Sequence, residues 1–289
     1  VLGATSFVGQ SLLPLLNKEG SHVVAFSRQA EPSCESGNGI TQAEFRQLGA
    51  AESKPQGERI ANWVCLAPIW VLPEYFSMLK AYQVKRIVAL GSTSIFTKRD
   101  SSDSIEQETV KRLQSGEQRF IAWAEANQIE WVILRPTLIY GLGRDRNICE
   151  IARFISRFGF FPLLGSAQGL RQPVYVNDVA TACVAALRNK QVRNRAYNLA
   201  GAERLTYREM VKRVFGVMGQ RERFISIPRS VFGVAIACLR VLPRFHNWSV
   251  AMADRMSADL IFDYASAKQD LGFIPRVFKL SKGDLPKSG

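Results

Sequence analysis

The sequence predicts an α/β protein, a doubly wound parallel sheet followed by a smaller, mostly helical C-terminal lobe. Three features predict it: a glycine-bearing turn opens the chain, short apolar runs alternate with helix-length segments through the first half, and beyond residue 145 the elements become shorter and mixed.

Gly3-Ala4-Thr5-Ser6-Phe7-Val8-Gly9 runs into the apolar stretch Gln10 to Leu16. A tight turn leaving a strand, a close backbone approach to a pyrophosphate and a helix N-terminus facing that anion all call for small residues. Gly3, Thr5, Ser6, Phe7, Val8 and Gly9 therefore read as a dinucleotide seat, the alternative being a turn that serves packing alone. Only Val1 and Leu2 precede Gly3, whereas a buried strand needs about five residues. Further N-terminal residues are expected, and no targeting segment is inferred or excluded. His22 to Arg28 reads as the second strand, ending where an adenine ribose would lie. An acid there would favour NAD, whereas Arg28 beside Ser27 can pair with the extra phosphate of NADP, which gives NADP a slight preference. The other reading of Arg28 is a solvated surface cation.

Gln29 to Gly57 is polar, with a short strand expected near Gly39 to Phe45. Trp63 to Pro68 reads as a buried strand, Tyr75 to Lys80 as its crossover helix, and Arg86 to Leu90 as a strand ending at Gly91-Ser92-Thr93-Ser94. Glu106 to Asn127 has helical spacing, with Leu113, Phe120, Ile121 and Ala124 on one stripe. Trp131 to Leu134 is the next strand, ending at Arg135-Pro136-Thr137. In the second half, Glu150 to Phe158 reads as a helix and Gln172 to Val176 as a strand. Asp178 is expected to cap a helix through Leu187, and Ala196 to Leu199 is a strand. Thr206 with Glu209 three residues on opens a capped helix. Residues 1–145 are thus assigned to a dinucleotide-binding domain and 146–289 to a substrate-binding lobe, strands near 172–200 returning to the first.

A net charge of +13, from 38 basic and 25 acidic residues, suits an anionic ligand. The cations are scattered without an interleaved aromatic pattern, which argues against nucleic acid as the partner. Five widely spaced cysteines read as reduced core residues of a cytoplasmic protein, and two histidines without metal-ligand spacing leave no metal site. No apolar run reaches the roughly 18 to 20 residues of a spanning helix. Val231 to Leu239, flanked by Arg229, Arg240 and Arg244, reads as a buried lobe helix or as a helix lying on a membrane surface.

Leu90 to Phe96, Leu134-Arg135-Pro136-Thr137-Leu138-Ile139-Tyr140-Gly141, Arg171 to Asp178, Phe262-Asp263-Tyr264 and Asp270 to Pro275 follow the opening turn in order. Together these segments resemble the extended short-chain dehydrogenase/reductases, specifically the NAD-dependent epimerase/dehydratase family, over nearly the whole chain. The resemblance implies a Rossmann-type sheet, NADP or NAD as cofactor, a nucleotide sugar or related anion as ligand, and a homodimer through the helices near Pro73 to Tyr82 and Glu106 to Asn127. It also implies cofactor contacts from the first turn, Ser27, Arg28, Ala67 and Pro136, and substrate contacts from Ser92, Thr93 and Arg171. Ser92 would bond the reacting oxygen of the substrate, or else satisfy backbone at the strand end. Arg171 would grip a diphosphate, or else be an exposed loop arginine.

The departures from the family carry more weight. Its proton transfer rests on a tyrosine and a lysine four residues later, a pair that here falls on Thr109 and Leu113. Phe96 to Trp131 contains no tyrosine, and Lys98, Lys111 and Arg112 have no phenol partner in sequence. A threonine hydroxyl at position 109 cannot replace a phenol as base near neutral pH. Ser6 stands where the middle glycine of the turn is usual, and Leu138 where many nucleotide-sugar enzymes carry asparagine. Three functions follow: an atypical cofactor-binding member without the usual catalysis; a non-catalytic cofactor-binding scaffold, resembling the accessory subunit of respiratory complex I; or an active epimerase or reductase with a displaced base such as Tyr140.

Overall fold

The computed structural model describes residues 1–28, 43–48, 58–97, 103–228 and 255–286. The elements of its first half are α1 (Phe7–Lys18), β1 (Val23–Ser27), β2 (Ala43–Gln47), β3 (Asn62–Cys65), α2 (Phe76–Ala81), β4 (Arg86–Leu90), α3 (Ser94–Thr97), α4 (Ser104–Ala126), β5 (Glu130–Pro136) and β6 (Ile139–Tyr140). Then come α5 (Asn147–Phe158), β7 (Phe161–Leu164), β8 (Leu170–Arg171), β9 (Val174–Tyr175), α6 (Val176–Arg188), β10 (Arg195–Leu199), β11 (Leu205–Thr206), α7 (Tyr207–Met218), β12 (Phe224–Ile227) and α8 (Ala265–Leu271).

All pairings of the main sheet are parallel. β2 lies beside β1, and β3, β4, β5 and β10 follow one another, each in register with the next. Leu2 joins the two sets, bridging Phe26 on one side and Cys65 on the other. Leu2 thus lies at the central position of the sheet. The order reverses across Leu2, so the turn that begins at Gly3 emerges at the switch point, where open α/β sheets bind ligands.

Helices cover both faces because the strands are apolar on both sides: all five residues of β1 are buried. On one face Leu12, Leu13 and Leu16 of α1 pack with Val179, Ala180 and Cys183 of α6. On the other, Leu113, Phe120 and Ala124 of α4 meet Trp63, Leu79 and Tyr82. Arg86 ties the far end of the sheet to α6. Its Nη1 pairs with Glu130 Oε2 at 2.5 Å, and Nη2 donates to the carbonyls of Ala186 (2.6 Å), Asn189 (2.7 Å) and Val192.

A separate core forms the lobe, with Ile148, Phe154 and Ile155 of α5 against Met210, Val214 and Phe215 of α7 and Phe161 of β7. The pairs β7 with β12 and β8 with β11 accompany these helices. β10 and α6, although late in sequence, belong to the first core.

Several local expectations are corrected. The strand expected over Gln172 to Val176 is only Val174–Tyr175, because α6 begins at Val176. Asp178 is not the cap of that helix. Tyr175 is, and Asp178 lies in the first turn, where its carboxylate accepts from Arg276 N and Nε, both at 2.9 Å. The helix expected from Glu150 starts at Asn147. Thr206 does cap α7, its hydroxyl accepting from Glu209 N at 3.0 Å. Most of the strand expected near Gly39 to Phe45, the apolar segment Val231 to Leu239, and Lys98, Cys34 and Cys238 lie outside the described residues. No helix among the described residues is long and apolar enough to cross a membrane.

Candidate functional site

The opening turn is built by close approach. Gly3 has φ +77°, and a Cβ there would stand 2.8 Å from Ala67 N; a Cβ on Gly9 would stand 2.0 Å from the Ala4 carbonyl oxygen. Only glycine fits either place without moving backbone. Ser6 N donates to Gly3 O at 3.0 Å, which closes the turn, and Ser6 Oγ accepts from Gly9 N at 3.2 Å as the cap of α1. Thr5 Oγ1 lies 3.2 Å from Ser27 Oγ, so the turn is tied to the end of β1, and exposed Arg28 follows directly. Val8 is buried in the core, whereas Phe7 reaches the neighbouring cavity. The geometry fits a dinucleotide: N–H groups of a helix start lie beside hydroxyls and a cation, with glycine at positions 3 and 9, where a side chain would meet backbone.

Beyond the turn, a cavity of about 520 Å³ opens between the carboxyl ends of β4 and β5 and the lobe. Ser92, Thr93, Ser94 and Thr137 line the sheet side; Arg144, Arg146, Glu150, Arg171 and Tyr207 line the lobe side. Thr93 is fixed to the end of β5, its N and Oγ1 donating to the Pro136 carbonyl at 3.1 and 3.2 Å. Ser92 reaches the cavity, and its Oγ also accepts from Ser94 N at 3.1 Å.

Arg171 is reached by the cavity but is not an exposed loop arginine. Its Nη1 donates to the carbonyls of Leu170 and Ala258, each at 2.8 Å, Nη2 donates to that of Arg255, and the guanidinium lies 5.3 Å from the centre of the Tyr207 ring. Burial brings its pKa down to about 10. Two of its N–H groups thus hold the 255–258 segment beside the cavity, and that fastening is what the sequence did not reveal. Burial also pushes the Tyr207 phenol up to about 12, so near neutral pH it is a donor rather than a base. Asp145 turns its carboxylate to Ile148 N at 2.6 Å, and burial raises it above the usual range. Burial likewise raises Glu150, with Arg146 and Arg153 opposing the shift.

Thr109 does not line this cavity. Its Oγ1 donates to the Ile105 carbonyl one turn back at 2.8 Å. Leu113, at the lysine position, is buried in the core. The neighbouring polar pair is a different one: Arg135 and Glu117 are joined through Arg135 Nε at 2.9 Å and Nη2, and Arg135 lies over Phe96. Tyr140 is fully buried in the lobe core, its hydroxyl accepting from Lys279 N at 3.4 Å, and burial pushes its pKa up to about 12. It does not line the cavity. Among the described residues no group of histidine, cysteine, aspartate or glutamate side chains could hold a metal ion, and Cys65, Cys149 and Cys183 are buried free thiols.

Sequence reasoning missed Arg144, Arg146, Glu150, Tyr207 and Arg255 as cavity residues. The alternation Arg144-Asp145-Arg146 after the Tyr140-Gly141 turn is the signal that could have found the first two.

Residues 74–200 match the model of a family described as NAD dependent epimerase/dehydratase family. Among curated proteins, the chain is 25% identical to NADH dehydrogenase [ubiquinone] 1 alpha subcomplex subunit 9, mitochondrial, from Arabidopsis thaliana, over 96% of this chain and 74% of that protein. It is 23% identical to UDP-glucose 4-epimerase of Vibrio cholerae over 55% of this chain and 46% of that protein. Among solved structures, UDP-glucuronic acid 4-epimerase from Bacillus cereus in complex with NAD superposes with a TM-score of 0.69 at 16% identity, covering 98% of this chain and 94% of that one. MoeE5 in complex with UDP-glucose and NAD superposes at 0.65 with 19% identity, covering 96% and 93%. These likenesses at low identity show a shared fold.

Proposed function

The chain belongs to the NAD-dependent epimerase/dehydratase family of extended short-chain dehydrogenase/reductases, and from that premise we propose that it binds NAD or NADP without the family's usual proton transfer. The observation that carries this reading is the contrast within the site. Gly3 and Gly9 keep the close approaches that a dinucleotide turn requires, while Thr109 is bonded to its own helix and Leu113 is packed in the core. When bound, the cofactor would supply hydride acceptance or donation. The residues here would seat it: Phe7 and Val8 through backbone N–H groups, Thr5 and Ser27 through hydroxyls, Arg28 at the ribose end, with Ala67 and Pro136 closing the sides. Arg28 gives NADP the slight preference.

The ligand of the cavity is proposed to be a nucleotide sugar or a related anion. Arg144 and Arg146 are exposed toward that space and are the cations that favour an anion there. Ser92 and Thr93 would bond its sugar end, and Arg171 would act by holding the 255–258 segment in place. A homodimer through α2 and α4 is part of this proposal; α4 presents Lys111, Arg112, Ser115, Gln118 and Arg119 outward together with the exposed Ile105. A cytoplasmic setting stays part of the proposal, as expected from the widely spaced cysteines.

A second reading, a non-catalytic cofactor-binding subunit of a larger assembly, is favoured by the relative from Arabidopsis thaliana, which aligns over 96% of this chain. Both readings predict binding without turnover, and native mass measurement separates them by the presence of a stable heteromeric partner. The test is a fluorescence titration with NADH and NADPH, followed by incubation with a panel of UDP-sugars and product analysis. Binding without product is expected. Turnover that survives both Ser92→Ala and Thr109→Ala would place the chemistry elsewhere in the molecule.

A further inference from the structure

The dinucleotide reading above is the ground for this inference, which concerns the residue standing where such turns carry their middle glycine. Ser6 is the cap of α1, with extended backbone (φ −65°, ψ 163°) and its hydroxyl accepting the Gly9 N–H at 3.2 Å. The first N–H groups of a helix have no partner within it, so a capping oxygen satisfies one of them. The same groups are what an anion engages at a helix start. In the first turn of α1 no acidic side chain competes for them. Of the N–H groups of Phe7, Val8 and Gly9, the third is therefore already taken in the free protein by an oxygen from the turn itself.

We propose that Ser6 is an internal substitute for a phosphate oxygen. Its hydroxyl caps α1 while the turn is free and gives up the Gly9 N–H when a pyrophosphate is seated, so Ser6 sets the affinity of the turn for dinucleotide. The thermodynamic consequence is a closed cycle. The cap stabilises the free form and is replaced in the bound form, so removing it lowers the stability of the first and leaves the second unchanged. The difference appears as tighter binding. The usual worth of an N-cap hydroxyl against alanine corresponds to about fivefold in affinity. Glycine at the same position loses less capping, because its flexible backbone still suits a cap position, and it also withdraws the Cβ from the anion's path.

The test compares the wild type with Ser6→Ala and Ser6→Gly, by thermal melting and by fluorescence titration with NADH and NADPH. Ser6→Ala is expected to melt roughly 2 °C lower without nucleotide. It is expected to reach the wild-type midpoint at saturating nucleotide and to bind about fivefold more tightly. Ser6→Gly is expected to bind at least as tightly as the wild type with a smaller melting deficit. Equal or weaker binding by both variants, while the wild type binds, would overturn the proposal and leave the dinucleotide reading intact. So would a melting deficit in Ser6→Ala that persists at saturation. Failure of the wild type and of both variants to bind either nucleotide would overturn the dinucleotide reading and this proposal with it.

Discussion

The opening turn leaves the centre of the sheet for α1 on one face, α4 covers the other face, and the two regions have diverged in opposite senses. In the turn, every departure from the expected pattern is tolerated by geometry: Ser6 replaces a glycine, yet it caps the helix, and Gly3 and Gly9 remain where a Cβ would collide with backbone. In α4 the positions that should carry a phenol and an ammonium carry a hydroxyl bonded to its own helix and a leucine in the core. On the proposed reading, the difference teaches that seating a nucleotide and moving a proton are separable in this fold. The first would rest on backbone shape, with glycine kept at the two positions where a Cβ would meet backbone. The second would rest on two side chains that this helix does not carry.

The strongest way to break this contrast is to rebuild the missing ammonium. Leu113→Lys puts a charge into the core beside Phe120 and Trp63, and the expected cost is about 3–5 kcal/mol in urea unfolding. A variant that unfolds like the wild type and binds nucleotide better would mean that position 113 faces the site after all. Next in size is Gly9→Ala. Its Cβ would stand 2.0 Å from the Ala4 carbonyl oxygen, and NADH affinity is expected to fall by roughly 100-fold, with a lower melting temperature. Retained affinity would show that the turn is not the seat.

The lobe offers a third probe, through pH. Arg213 beside Glu203 holds its carboxyl below the usual 4.5, and Glu203 Oε2 also accepts from Phe278 N at 3.2 Å. A carboxyl with a depressed folded-state pKa contributes stability above 4.5 that is lost as the pH falls through the depressed value. Glu203→Gln should therefore melt lower at neutral pH and flatten the decline of melting temperature on the acid side of 4.5. An unchanged slope would remove this pair from the acid sensitivity of the lobe. The smallest effect is expected from Thr109→Ala, whose hydroxyl touches only its own helix: within about 0.5 kcal/mol in stability, with no change in nucleotide affinity.

How much of this could be read from the chain differs between the same regions. The alternation of buried strands and helices, the turn, and the absence of a tyrosine–lysine pair were legible because each depends on residues close in sequence. The central strand was legible only in part: nothing local says that Leu2 would bridge both Phe26 and Cys65. Asp178 looked like a cap because it precedes an apolar helix, but Arg276, nearly a hundred residues later, claims its carboxylate. Arg171 reads in sequence as a diphosphate-gripping or an exposed loop arginine, and the carbonyls at 255 and 258 that it holds were beyond the reach of pattern. Misreadings of this kind concern long-range partners of charged groups, which periodicity does not encode.

The central claim is that this protein holds a pyridine nucleotide and does not exchange hydride with a UDP-sugar by the family's usual route. The most direct measurement is a single-turnover experiment: protein saturated with NADH, a UDP-4-ketosugar added, and the reduced-nucleotide absorbance followed while the sugar is recovered and analysed. The account predicts a saturable NADH titration, constant absorbance and unchanged sugar. Loss of absorbance matched by reduced sugar would contradict it.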